Sequence, residues 1–342
     1  MPFLSPAAAK ELAELVQYHD AVCRHDLHQG LITSERDYVS NLATHLRYPL
    51  GSLINTMPAS AIPKPAYHPP ITSLTLPTSS EQLFGCDGII VLIAPPKDEN
   101  SDAYLYKVGM FEAKWPRISK PNYPWDKKSY HGHSHFSYQL ARQHALASVE
   151  KVVLWEMFFS EEAVGNISGD TPFPWGSTCI WHKDAWNHML SNINLAHVKQ
   201  GSAARQWTSA DLRALIAAST VHSLASVIEG MASCNIGEPI EGNSGGLSFQ
   251  LAPNAAQFLF NSEEGKTSPL TEPINIPVLN RNNDLTEIQN FMRKYGFRSY
   301  TSIMLDEEAI RAAMSEAKQA RMTAMIGRLD KDAENQINNV TN

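Results

Sequence analysis

No CxxC pair occurs in this 342-residue chain, and its four cysteines (Cys23, Cys86, Cys179 and Cys234) stand far apart. That spacing excludes a cysteine-rich zinc module and a disulfide scaffold, and it suits a reducing compartment. Long apolar runs are missing as well: none approaches the ~20 residues that a membrane helix needs. The start of the chain has no basic leader and meets Lys10 and Glu11 too early for a secretory signal. A cytoplasmic protein is therefore expected. Positive charge is scarce overall, with 28 Lys and Arg against 35 Asp and Glu for a net charge of −7. This argues against a protein that coats DNA through its total charge, although a local basic footprint remains compatible with it.

Hydrophobic residues make up 43% of the chain, enough for a sizeable core, and the length exceeds what one ordinary core requires. Leu12, Leu15, Val16 and His19 recur at helical spacing behind Pro6, which predicts a helix over residues 6–28 that Gly30 ends. A second helix follows, with Thr33 or Ser34 as its cap and Tyr38, Val39, Leu42 and Leu46 as its apolar stripe. Residues 49–80 are rich in Pro, Ser and Thr and read as loop, with room for one short strand at 71–76.

Two strand signals come next. Residues 87–93 (DGIIVLI) are a β-branched apolar run between Gly85 and Pro95-Pro96, and residues 104–115 (YLYKVGMFEAKW) are a second run stopped by Pro116. A helix is expected over 134–148 and strands over 151–159 and 177–182. Farther on, helices are expected over 209–231 with Thr208 as cap, from Asp284 to Gly296, and from Asp306 to about Arg328. Residues 233–280 show little periodicity. This order predicts an α/β core, with the strand at 151–159 reached by a crossover.

Glu112-Ala113-Lys114 carries the chemistry. Residues two apart in a strand share a face, so Glu112 and Lys114 stand side by side. The strand is otherwise apolar on both faces: Val108 and Met110 flank Glu112, while Phe111, Ala113 and Trp115 take the other side. A strand of that kind lies inside a sheet, where a charge costs several kcal/mol unless it is paired or metal-bound. Asp87 opens the preceding strand, and antiparallel pairing would bring it beside Glu112. Two carboxylates with the carbonyl of Ala113 are hard oxygen donors suited to Mg²⁺ or Mn²⁺. Lys114 supplies an ammonium for a water or a phosphate. Glu35, in the first turn of the second helix, is placed to assist the metal.

The ordered set of Glu35 on a helix, Asp87 at a strand start, Glu112-Ala113-Lys114 on the next strand and then a helix resembles the PD-(D/E)XK nuclease superfamily. The resemblance covers roughly residues 30–160 and departs from the family pattern at Gly85-Cys86, where the name-giving motif has Pro. It implies a restriction-endonuclease-like mixed central sheet flanked by helices, and Mg²⁺-dependent hydrolysis of phosphodiester bonds, mostly in DNA. Some relatives carry a Gln on the helix after the lysine strand, which makes Gln139 a candidate catalytic residue, with Gln143 one turn away.

The expected organisation is an N-terminal helix (1–30), a nuclease core (31–195) and a mainly helical C-terminal region (196–342) that could serve a homodimer or a protein partner. Between Lys107 and Lys151, eight cationic residues face three acidic ones, a local excess of +5. Aromatics interleave with them, as suits a nucleic-acid strand. Arg117, Lys120, Lys127, Lys128 and Arg142 are the expected nucleic-acid contacts. Two other readings remain: a catalytically silent nucleic-acid-binding or interaction version of the same fold, and a zinc hydrolase built on His131, His133 and His135.

Overall fold

The computed structural model describes residues 3–47, 71–76, 83–96, 98, 101–116, 125–127, 134–147, 149, 151–160, 176–194, 205–251, 272–278, 285–308, 310–311 and 315. The chain folds as α/β, a mixed sheet with helices on both faces. Its strands are β1 (Ile71–Thr75), β2 (Gly88–Ala94), β3 (Tyr104–Lys114), β4 (Val152–Phe158), β5 (Thr178–Trp181), β6 (His222–Ser223), β7 (Ile240–Asn243), β8 (Gly246–Phe249), β9 (Ile274–Pro277) and β10 (Ser299–Met304). The main path runs β1-β10-β2-β3-β4-β5-β6, with β7 joining β3 and leading to β8 and β9. β10 lies parallel to β2, and β3 lies parallel to β4. β2 and β3 are antiparallel, pairing Gly88 with Phe111.

The described helices are α1 (Pro6–His28), α2 (Glu35–Arg47), α3 (His135–Leu146), α4 (His182–His188), α5 (Ser209–Ala218), α6 (Leu224–Ala232) and α7 (Leu285–Tyr295). Ser5 caps α1, and Gly30, at φ +73°, takes the left-handed turn beyond its end. Ser34 caps α2 by accepting from the Asp37 N–H at 3.1 Å. One face of the sheet packs Phe111, Ala113, Trp155 and Met157 against Leu12 and Val16 of α1, Leu42 of α2 and Val227 of α6. The other packs Ile89, Val91, Val108, Met110 and Leu154 against Leu146 of α3 and Phe291 and Met292 of α7. The alternation read along β3 thus divides its residues between two cores, with Glu112 on the α3 side.

Two expectations need correction. The helix expected over 209–231 is two helices. Ser219 is extended, with φ −116° and ψ 158°. The β-branched pair Thr220-Val221 follows, and His222-Ser223 then pair with β5. Ser223 starts α6 by accepting from Ser226 N–H at 3.0 Å. The region after residue 196, expected to be mainly helical, contributes strands β6 to β10 among the described residues. β7 to β9 arise in the stretch with little periodicity. β10 enters the sheet between β1 and β2, a long-range pairing that local patterning does not reveal. The helix expected from Asp306 begins there, with Asp306 Oδ1 accepting from Glu308 N–H at 2.9 Å. Most of its length, and Asp284, lie outside the described residues.

Candidate active site

Asp87 sits one residue before β2, where the antiparallel register places it opposite Glu112. Its N–H donates to Phe111 O at 2.8 Å, and its Oδ2 accepts from Ala113 N–H at 3.1 Å. The carboxylate therefore continues the ladder that the β2 backbone has left. Because the N–H and C=O of one strand residue lie on the same side, the Ala113 carbonyl shares the edge with Asp87. Gly88 is required beside it: a Cβ there would strike the Phe111 ring and come within 2.5 Å of Ser299 Oγ.

Glu112 is fully buried. Its Oε1 accepts from Lys114 Nζ and from Gln139 Nε2, the latter at 2.6 Å. Its Oε2 is buried and has no hydrogen-bond partner among the described residues. Burial pushes the Glu112 carboxyl well above the usual carboxylate range, and the nearby Asp87 adds to this while Lys114 opposes it. Lys114 is also buried. Burial disfavours its charge, but Glu112, Glu35 and Asp87 outweigh that and raise its pKa above the ordinary lysine value. Glu35 Oε2 lies 3.9 Å from the ammonium, and Glu35 Oε1 accepts from Trp115 N–H at 3.1 Å. Glu35 thereby ties the first turn of α2 to the end of β3.

Gln139 comes from α3, whose backbone lies directly on Gly85. Gly85 has φ +64°, and a side chain there would collide with the Gln139 carbonyl. The departure from Pro at Gly85-Cys86 thus has a physical counterpart in the close seating of α3. A cleft of about 380 Å³ opens over these groups, lined by Glu35, Glu112, Lys114 and Gln139 together with Ser34, Arg36, Trp115, Trp125, Asp126, Lys127, His135 and Arg298. His135 is pushed down to about 4 by burial and by Lys114, so it is neutral at pH 7.

Among the expected nucleic-acid contacts, Lys127 lines the cleft. Arg142 does not: it is 7% exposed, with its guanidinium 4.3 Å from the Tyr138 ring centroid. Arg117, Lys120, Lys128, His131 and His133 lie outside the described residues.

Sequence reasoning missed three further groups. Arg298, the residue before β10, sets Nη1 2.9 Å from Asp87 Oδ1. Glu156 of β4 pairs in register with Glu112 and is fully buried. His182 Nδ1 lies 3.1 Å from Glu156 Oε1. Glu156 carried the same signal as Glu112, a charge in a strand otherwise apolar on both faces. Arg298 carried none.

The donor chemistry fits a hard divalent cation in part. Glu112 Oε2 is a buried oxygen with no partner among the described residues, Asp87 is a second carboxylate near Glu112, and the Ala113 carbonyl faces the edge it shares with Asp87. Among the described residues, no three His, Cys, Asp or Glu side chains converge to hold a metal. Glu35 meets the cluster through the Lys114 ammonium, and Arg298 engages Asp87. No described helix is long and apolar enough to cross a membrane. No family model, curated protein or solved structure matches the chain.

Proposed function

We propose that the chain is a divalent-metal-dependent nuclease that hydrolyses phosphodiester bonds, with DNA as the expected substrate and Mg²⁺ or Mn²⁺ as the cofactor. The observation that carries this reading is Glu112 Oε2, a buried carboxylate oxygen with no partner among the described residues, on a side chain that lines the cleft. Desolvating a carboxylate in that way is costly, and a cation is the partner that relieves it.

Asp87, Glu112 and the Ala113 carbonyl would hold the ion. When bound, such an ion lowers the pKa of a water and offsets charge developing on the phosphate. The remaining work belongs to the side chains. Gln139 donates to Glu112 and fixes its orientation. Lys114, held charged, presents its ammonium to the attacking water or to a phosphate oxygen. Glu35, 3.9 Å from the Lys114 ammonium, helps it keep its place as substrate enters. Lys127 adds positive charge at the mouth.

An activity screen on single- and double-stranded DNA and RNA with Mg²⁺, Mn²⁺ and EDTA tests this. Cleavage should require the metal and vanish in Asp87→Ala and Glu112→Ala, each with a native circular dichroism spectrum. Metal-dependent cleavage at the wild-type rate in both variants would remove these residues from the chemistry. A second reading, a silent nuclease fold that binds nucleic acid, draws on Lys114 and Arg298 already neutralising the two carboxylates. It predicts binding that is indifferent to EDTA and no cleavage in the same screen.

A further inference from the structure

We infer that Arg298 is the phosphate-binding residue of this site, and that it exchanges between Asp87 and the substrate phosphate so that metal and phosphate bind cooperatively. The inference rests on the nuclease reading above. Its starting point is the position of the guanidinium, whose Nη1 lies 2.9 Å from Asp87 Oδ1. That oxygen belongs to one of the two carboxylates available to a cation, so the guanidinium and a metal compete for it.

The two ends of Arg298 are held differently. Its N–H donates to Asp87 O at 2.8 Å, and the neighbouring Ser299 N–H reaches the same carbonyl at 3.1 Å. The parallel register of β10 on β2 continues from there, pairing Ser299 with Gly88. The Cα of Arg298 is therefore pinned beside the site. The side chain is not: it is 37% exposed, against 2% for the Asp87 side chain, and it lines the cleft. A long side chain on a fixed backbone can turn from the carboxylate to a ligand in the same cleft without any movement of the sheet. Its planar fork matches two phosphate oxygens, as a lysine ammonium cannot.

Charge balance gives the exchange its direction. Among the described residues, Asp87 and the cleft lining bring four carboxylates (Asp87, Glu35, Glu112, Asp126) and four cationic side chains (Arg36, Lys114, Lys127, Arg298). With every group ionised that set is neutral, and Arg298 on Asp87 is part of the balance. Uptake of a divalent cation by Asp87 and Glu112 would leave the cleft at +2 and Arg298 without its carboxylate. A phosphodiester then supplies the anion the guanidinium has lost. Linkage makes the effect reciprocal: whatever factor the metal adds to phosphate affinity, phosphate adds to metal affinity.

Calorimetry on the full chain with Mn²⁺ and thymidine 3′,5′-bisphosphate, which has no diester to cleave, separates the possibilities. In wild type, each ligand should tighten the other by about tenfold or more. In Arg298→Met, Mn²⁺ alone should bind about three- to tenfold tighter, because its competitor and a like charge are gone. The bisphosphate in saturating Mn²⁺ should bind about tenfold weaker, and the mutual tightening should shrink. Arg298→Gln carries the same test if Arg298→Met does not fold. Unchanged Mn²⁺ and bisphosphate affinities in the Arg298 variants, with Mn²⁺ uptake still lost in Asp87→Ala, would overturn this inference alone. A wild-type chain that takes up no Mn²⁺ would overturn both this inference and the metal-dependent function.

Discussion

Replacing Lys114 by Met tests the electrostatics of the site without any substrate. The side chain is buried, its ammonium is bonded to Glu112, and the other oxygen of Glu112 is buried with no partner among the described residues. Removing one member of a buried pair costs about 3–5 kcal/mol when the survivor must stay charged. Here the survivor has an alternative, because burial and Asp87 already favour the protonated Glu112 carboxyl. The cost of Lys114→Met therefore depends on pH. A carboxyl whose folded pKa is raised contributes stability that is fully present below its unfolded value near 4.5 and is lost as pH rises through the folded value. Without Lys114 the folded pKa climbs further, so the variant goes on losing stability over a range in which wild type has stopped. Lys114 itself, raised above 10.5, stays charged throughout that range.

At the acid end, below the raised Glu112 value in both proteins, the difference should be about 1 kcal/mol, the value of one hydrogen bond. As pH rises through that value, the difference should grow toward the ~3–5 kcal/mol of a broken buried pair. For 342 residues melting as one unit, an unfolding entropy of about 2.1 cal/mol/K per residue totals about 0.7 kcal/mol/K. The deficit in Tm should then widen from about 1–2 °C at the acid end to about 4–7 °C at the alkaline end. Circular dichroism melts of metal-free protein across that range measure it. Glu112→Gln combined with Lys114→Met should flatten the pH dependence. A deficit independent of pH in the single variant would show that Glu112 is not the group Lys114 holds, and the assignment of the buried pair would fall.

Other consequences can be checked in parallel. Lys114→Ala should depress turnover by about 10²-fold or more, while binding supported by Ca²⁺ stays within about threefold; lost binding with normal turnover would make Lys114 a docking residue. Lys127→Ala should weaken binding uniformly across sequences and shallow the slope of log K against log salt by about 1, and an unchanged slope would take Lys127 off the phosphate path. Glu156→Gln should lower stability yet leave Mn²⁺ uptake intact, since both of its oxygens already have protein partners; loss of Mn²⁺ uptake with native folding would make Glu156 a ligand.

Much of the site could be read from local pattern because its groups sit on neighbouring elements. Period-two alternation placed Glu112 beside Lys114, and two consecutive apolar runs implied the antiparallel pair that brings Asp87 to Glu112. A helix was expected over 134–148, and the family resemblance, rather than the pattern, singled out Gln139 on it. Glu35 followed from a cap and a first turn. Arg298 was out of reach for a physical reason. It stands just before a strand whose partners β1 and β2 are remote in sequence, and nothing in a six-residue run buried along nearly its whole length says where in a sheet it inserts. The strands β7 to β9 escaped for a related reason: they are four residues each, too short for alternation to rise above chance. The split between α5 and α6 was visible in principle at Ser219-Thr220-Val221, where side chains that compete with helix interrupt a run of good helix formers.

The neighbouring carboxylates Glu112 and Glu156 explain how one helix can serve two buried charges and leave only one of them open. They lie in register on adjacent parallel strands, about 4.8 Å apart across the sheet. Gln139 and Gln143 are one turn apart on α3, about 6 Å along its axis. Helix pitch and strand spacing nearly match, so each glutamine reaches one glutamate: Gln139 to Glu112 at 2.6 Å, and Gln143 to Glu156 at 3.2 Å. Each glutamate then has a basic neighbour, Lys114 or His182. The difference lies in how the bonds are distributed. Gln143 and His182 take different oxygens of Glu156, closing it. Lys114 and Gln139 converge on the same oxygen of Glu112, which leaves Oε2 for another ligand. Of two glutamates equally buried on one face, the one beside Asp87 is the one that keeps a coordinating atom.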